Sequence, residues 1–202
     1  LPAKSWQAGA DQPWAEKMKG IRRIFEELLN IFLPKCCVLC KTTLEVTNHR
    51  YLCITCWNKL EPVEGLFCQK CGKPLPDGGA HCYHCHQMKF HFEYIRAGGI
   101  YNGALKEVIH KFKYQGKDFL AGVLSEFLIL HTQDKFDWQE IDYVVPIPLY
   151  KKNEYRRGYN QALLLGERVV GCFSKPLVFE NLIRTRKTLS LIHISEPTRQ
   201  AE

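Results

Sequence analysis

Four Cys-x-x-Cys pairs stand in series: Cys37 with Cys40, Cys53 with Cys56, Cys68 with Cys71, and Cys82 with Cys85. Each pair sets two thiolates on one side of a tight turn, and two pairs complete the tetrahedral site that zinc takes. Twelve residues separate Cys40 from Cys53 and ten separate Cys71 from Cys82, lengths that let a hairpin bring the second pair beside the first. Two zinc ions are therefore expected, in a double zinc ribbon. The metal has structural work to do, because so short a segment buries too little apolar surface to fold unaided. Gly72 suits the turn that aims backbone amides at a thiolate sulfur. A redox dithiol needs one pair, not four, and an iron–sulfur cluster fits two separate halves poorly. Cys36 adjoins Cys37 and competes with it as a ligand. His81, His84 and His86 crowd the last pair but read as surface residues, and Cys172 as a small apolar one.

A second constellation is Val145-Pro-Ile-Pro-Leu149 followed by Arg156-Arg-Gly-Tyr-Asn-Gln-Ala162. It reads as a strand end, a basic loop, a glycine and a helix start. Ligands of open α/β sheets bind at the carboxyl ends of strands, and a helix N-terminus offers free amides to an anion. Arg156 and Arg157 would supply forked donors to phosphate oxygens, and Gly158 would let the backbone approach. A structural loop with two surface arginines is the competing reading. Tyr150, Tyr155 and Tyr159 among Lys151, Lys152, Arg156 and Arg157 also permit a groove for single-stranded DNA.

The elements that must hold these groups follow from periodicity. Ile21, Ile24, Phe25, Leu28, Leu29 and Phe32 form one helical stripe that Pro34 ends. Ala104 to Lys113 reads as a helix with Leu105, Val108, Ile109 and Phe112 on one side, and Phe119 to Leu130 as another. Ile141 to Leu149 reads as a short strand closed by Pro146 and Pro148, which cannot donate to a ladder. Asn160 then caps a helix with Leu163, Leu164 and Val170 on its buried side and Gly171 at its end. Helices alternating with a strand predict an α/β sheet.

Composition narrows the classes. The chain has 202 residues, 46% of them hydrophobic and 24% charged, which is ordinary globular material. No apolar run approaches a bilayer span, and no signal peptide is visible. A cytoplasmic address is expected, and ten cysteines there point to metal rather than disulfides. The net charge is +7; between Pro146 and Thr188 nine basic residues face three acids, a local +6. That concentration favours an anionic partner.

These motifs together resemble the ComF family of competence proteins, double-zinc-ribbon phosphoribosyltransferases. The matching residues are Ile31-Phe-Leu-Pro34 leading to Cys37, then Tyr101, Gly103, Leu105, Lys113, Tyr114 and Gly116. Pro146 to Leu149 and Arg157 to Gln161 complete the match, which runs from about Met18 to Thr188. The resemblance implies an N-terminal double zinc ribbon followed by an incomplete type I phosphoribosyltransferase-like α/β domain. It divides the chain into a leader at 1–17, an amphipathic helix at 18–34, the ribbon at 35–92, a partial transferase-like domain at 93–188 and an artefactual tail at 189–202. Met18 reads as a candidate initiator.

Phosphoribosyl pyrophosphate would be held by Lys113, Arg156, Arg157, Gly158, Asn160 and Gln161, with Mg²⁺ accompanying it in the intact parent. Single-stranded DNA and a competence helicase are the other implied partners, and DNA uptake the implied role.

The sequence departs from the family's pattern in one respect. Such transferases are similar in using two adjacent acids before a Thr-Thr-Gly turn to hold the ribose and its 5′-phosphate, and no such stretch occurs here. Leu191 stands where the family commonly has glutamine, and Leu189 to Glu202 resembles a translated sequencing adapter. A C-terminally truncated fragment is expected, with no catalytic residue assigned and transferase activity absent. An adaptor for nucleic acid or protein, without transferase activity, is the alternative function.

Overall fold

The computed structural model describes residues 35–44 and 51–185. The leader at 1–17, the stripe at 18–34 and the tail at 189–202 lie outside the described residues. The chain divides into two compact units, Leu1–Cys53 and Ile54–Glu202.

In the first unit, Cys37 N–H donates to Thr42 O at 2.8 Å and Leu44 N–H to Lys35 O at 2.7 Å. These bonds close a hairpin with an antiparallel bridge between Cys36 and Thr43. The second unit carries the same device, 31 residues on. Cys68 N–H donates to Lys73 O and Leu75 N–H to Leu66 O, both at 2.8 Å, and Phe67 bridges Pro74. Short helices carry the returning cysteines: α1, Ile54–Trp57, and α2, Tyr83–Gln87.

Three longer helices build the core of the second unit. The helix expected at Ala104–Lys113 forms as α3, Gly103–Tyr114, and buries Leu105, Val108 and Phe112. Their i, i+3, i+7 spacing puts them on one face, while Glu107 and Lys111 pair across an outer turn at 3.1 Å. The helix expected at Phe119–Leu130 forms as α4, Leu120–Thr132. It is buried around much of its girth, so its hydroxyls must be satisfied internally. Ser125 Oγ donates to Ala121 O at 2.6 Å and Thr132 Oγ1 to Leu128 O at 2.7 Å.

Two further helices follow. The basic loop expected at Arg156–Arg157 is instead helical: α5 spans Lys151–Arg157 and ends at Gly158, whose φ of 82° makes the left-handed cap. The next helix, α6, spans Gln161–Phe173 and packs on α4. Asn160 caps it as expected, its side-chain oxygen accepting from Ala162 N–H at 3.0 Å. Gly171 does not end it; the chain turns at Ser174, φ 52°. Gln161 and Gly166 are its buried residues, with Leu163, Leu164 and Val170 half-buried.

The strand expected over Ile141–Leu149 is reduced to one bridge. Val144 pairs in parallel with Leu177, with Val144 N–H donating to Pro176 O and Val178 N–H to Val144 O, both at 3.0 Å. Pro146 and Pro148 supply no donors, so pairing cannot run on past Val145. Every pairing among the described residues is an isolated bridge, and the expected sheet is not seen there. No described helix is long and apolar enough to cross a membrane.

Candidate metal centres and anion-binding cavity

The eight predicted ligands gather into two sets, Cys37, Cys40, Cys53 and Cys56, and Cys68, Cys71, Cys82 and Cys85. Within each set the sulfurs lie within 4.8 Å of one another. Four thiolates about 2.3 Å from a tetrahedral zinc would stand roughly 3.8 Å apart. The measured Cys71–Cys82 separation is 3.8 Å and Cys40–Cys53 is 3.5 Å. The donor chemistry and the spacing both fit zinc.

Backbone amides prepare the sulfurs for negative charge, and the two hairpins do it alike. Amides of Leu39 and Cys40 bond Cys37, and those of Lys70 and Cys71 bond Cys68. Burial works against ionisation of Cys68, yet the amides of Cys71, Cys82 and Lys70 outweigh it and bring the thiol down to about 6. Cys40 falls to about 6 chiefly through Thr42. Cys85 moves the other way, pushed up to about 12 by lost hydration and its three sulfur neighbours. Four thiolates cannot coexist there without a cation, and zinc would supply that charge.

Cys82 and Cys85 also anchor a small apolar cluster with Cys68, against which Leu75 and Phe90 pack. Cys36 is exposed and outside the first set, whereas Cys37 is fully buried within it. His81, His84 and His86 are exposed and join neither set. Cys172 is exposed rather than packed as expected.

The predicted anion ligands are sorted by α5 and α6 rather than gathered into one loop. Arg157 is half-buried; its guanidinium lies 5.0 Å from the centre of the Tyr114 ring, and Nη1 donates to Gln161 Oε1 at 3.0 Å. Arg157 Nε and Gln161 Nε2 are buried without a hydrogen-bond partner. Lys113 is exposed near the end of α3, one residue before Tyr114. Arg156 is exposed. Asn160 is held by its capping bond and by Nδ2–H donating to Ile147 O at 3.3 Å. Tyr159 is tied down, its hydroxyl donating to Phe112 O; its burial, with Asp118 nearby, raises its pKa.

Beside the start of α6 lies a cavity of about 450 Å³, lined among others by Pro146, Pro148, Lys151, Glu154, Asn160 and Arg184. It joins the proline-rich turn to the helix start, and of the predicted anion ligands only Asn160 lines it; Lys113, Arg156, Arg157, Gly158 and Gln161 do not. Arg184 is a lining residue that the motifs did not single out. Its only signal was membership of the basic stretch.

Comparison with known proteins places both halves in context. Residues 28–86 match the double zinc ribbon domain model, and the chain carries that ribbon. Competence protein F of Haemophilus influenzae is 27% identical over 145 residues, 70% of this chain and 62% of that protein. DNA utilization protein YhgH of Escherichia coli K12 is 26% identical over 171 residues, 83% of this chain and 74% of that protein. Competence protein ComFC of Bacillus subtilis is 30% identical over 132 residues, 62% of this chain and 52% of that protein. The chain thus spans between about half and three-quarters of these relatives' lengths. No solved structure matches. These relatives bear out the resemblance read from the motifs.

Proposed function

We propose that this chain, a relative of the competence and DNA-utilization proteins, serves DNA uptake in the cytoplasm. In this reading two zinc ions hold its front segment, and its helical part is a portion of a type I phosphoribosyltransferase-like α/β domain. The observation that carries the second half is the cavity beside α6. There Lys151 and Arg184 set two cations near the capped helix start, and Glu154 and Glu180 share the lining; the cations suit the pyrophosphate of phosphoribosyl pyrophosphate and the carboxylates suit its Mg²⁺. The parallel bridge of Val144 with Leu177 across two helices supports the α/β reading, since parallel partners need such a crossover.

The chemistry of phosphoribosyl transfer has two requirements. The leaving pyrophosphate needs cations, and the developing oxocarbenium needs ribose contacts. The cavity offers the first, while the sequence has no acidic pair before a Thr-Thr-Gly turn for the second. Weak binding without turnover is therefore the expected behaviour of this chain.

Calorimetry on zinc-loaded protein tests it. Phosphoribosyl pyrophosphate and inorganic pyrophosphate should bind weakly in Mg²⁺, with binding lost in Lys151→Ala and Arg184→Ala. Absence of any phosphate response would overturn the cavity assignment. Micromolar binding of phosphoribosyl pyrophosphate would instead overturn the need for the acidic pair.

A further inference from the structure

We propose that the outward face of α5 is a contact surface for single-stranded nucleic acid, with Tyr155 stacking on a base and Lys152 and Arg156 pairing with phosphates. This rests on the DNA-handling half of the function proposed above and not on the phosphoribosyl half.

The seven residues of α5 divide cleanly. At about 100° per residue, Lys151, Tyr155, Lys152 and Arg156 fall on one continuous arc, and all four are exposed. Asn153, Glu154 and Arg157 fall on the other side and are half-buried. The helix's one acid, Glu154, faces the cavity, so the outer arc carries three cations and no anion.

Tyr155 stands among those cations with 92% of its surface exposed. It is the most exposed of the large hydrophobic residues described, above Tyr83 at 80%. It enters none of the ring contacts that hold Tyr114 and Tyr159 among the described residues.

The chemistry of the arc selects the partner. A flat ring flanked by cations matches an unstacked base with phosphates on either side, the recurring design of single-strand sites. A duplex keeps its bases stacked and would use the cations alone. A membrane-surface helix needs a broad apolar face, and one tyrosine does not make one.

Apart from Lys151, the arc is also separate from the cavity. Lys151 and Glu154 line the cavity, whereas Lys152, Tyr155 and Arg156 do not. The adjacent arginines of the motif therefore do different work: Arg157 is committed to Tyr114 and Gln161, and Arg156 faces outward. It follows that a strand on α5 and a pyrophosphate in the cavity bind without displacing each other.

Fluorescence anisotropy with a labelled oligothymidylate on the zinc-loaded chain tests the proposal. Tyr155→Ala should weaken binding by about fivefold to a hundredfold, the usual range for one stacked base, while Tyr155→Phe should stay near wild type. Lys152→Ala and Arg156→Ala should each flatten the salt dependence by roughly 0.7 in log–log slope. A blunt-ended DNA duplex should bind without responding to Tyr155→Ala, and saturating inorganic pyrophosphate should leave oligothymidylate binding unchanged.

Wild-type affinity in Tyr155→Ala would overturn the proposal. So would displacement by pyrophosphate, or equal loss of duplex and single-strand binding in Tyr155→Ala. Capture by phosphatidylserine vesicles that depends on Tyr155, with no oligothymidylate binding, would overturn it in favour of a membrane surface. Failure of phosphoribosyl pyrophosphate to bind, with oligothymidylate binding intact, would count against the cavity alone.

Discussion

Lys41 occupies in the first zinc hairpin the backbone position that Gly72 occupies in the second, with φ of 65° and 72° respectively. Each follows the second cysteine of its pair, and each donates its N–H to the first: Lys41 to Cys37 O at 3.0 Å and Gly72 to Cys68 O at 2.9 Å. The left-handed conformation costs a side-chain-bearing residue about 1–2 kcal/mol, and glycine almost nothing. Lys41→Gly is expected to stabilise the zinc-loaded protein by about 0.5–1 kcal/mol. Gly72→Ala should destabilise it by at least about 1–2 kcal/mol, because its new methyl would also meet Ile95 O at 2.9 Å. Denaturant midpoints in the presence of zinc would measure both, and a stabilising Gly72→Ala would refute the shared geometry.

Gly99 sits at a tighter place. A β-carbon there would lie 2.7 Å from Leu105 Cδ2, 2.7 Å from Phe127 Cε1 and 2.8 Å from Glu61 O. The backbone carbonyl cannot swing aside, because it receives Ile100 N–H at 2.8 Å. Gly99→Ala should cost about 2–3 kcal/mol through overpacking, read as a lowered thermal midpoint. An unchanged midpoint would mean that α3 and α4 are not seated against this strand-like segment as described.

Zinc removal should be felt as unfolding rather than as lost activity. Metal analysis is expected to give two zinc ions per chain, and exhaustive chelation to abolish the folded signal of the ribbon. Ligand thiols must be deprotonated, so zinc should dissociate as pH falls, the metal giving way to protons. A chain that keeps its circular dichroism after chelation would contradict the structural role of the clusters.

His131 carries a separate pH dependence. Burial, and then the charge of Lys135, hold its imidazole below the ordinary histidine range, against a weaker opposing pull from Glu64. The unfolded chain thus takes up this proton at a pH where the folded chain does not. Its contribution is flat above about pH 6.5, and stability is lost as pH falls through that value toward the lowered folded pKa. His131→Asn should remove this part of the acid sensitivity, seen as a smaller drop in the urea midpoint between neutral and mildly acidic buffer. An identical drop in wild type and variant would exclude the mechanism.

Tyr159→Phe should cost about 1 kcal/mol, since it removes the donor to Phe112 O while keeping the ring beside Phe112 at 5.6 Å between centroids. A neutral effect on the thermal midpoint would show that the hydroxyl is dispensable to this join.

The metal ligands and the main helices were legible because each is a local pattern. Cysteine spacing specifies a knuckle directly, and Leu105, Val108 and Phe112 mark the buried face of α3 without help from elsewhere. Helix α5 was not legible: Lys-Lys-Asn-Glu-Tyr-Arg-Arg has no apolar stripe, and only the left-handed Gly158 betrays its end. The strand was overread, since Val-Val-Pro-Ile-Pro has strand composition but no donors after Val145 with which to extend a ladder. Tyr155 and Tyr159 looked alike in sequence. Their separation into a ring in water and a ring bound to α3 is a tertiary fact that no spacing rule contains.

The hairpin bonds of the second ribbon half join residues only a few positions apart, and its four sulfurs all fall between Cys68 and Cys85. Such short-range closure asks nothing of the helices that follow, in contrast to Val144, which must wait for Leu177. During synthesis the ribosome would therefore release a site able to capture its ion while the helices are still unmade. The expected order of assembly is metal first and helical core second.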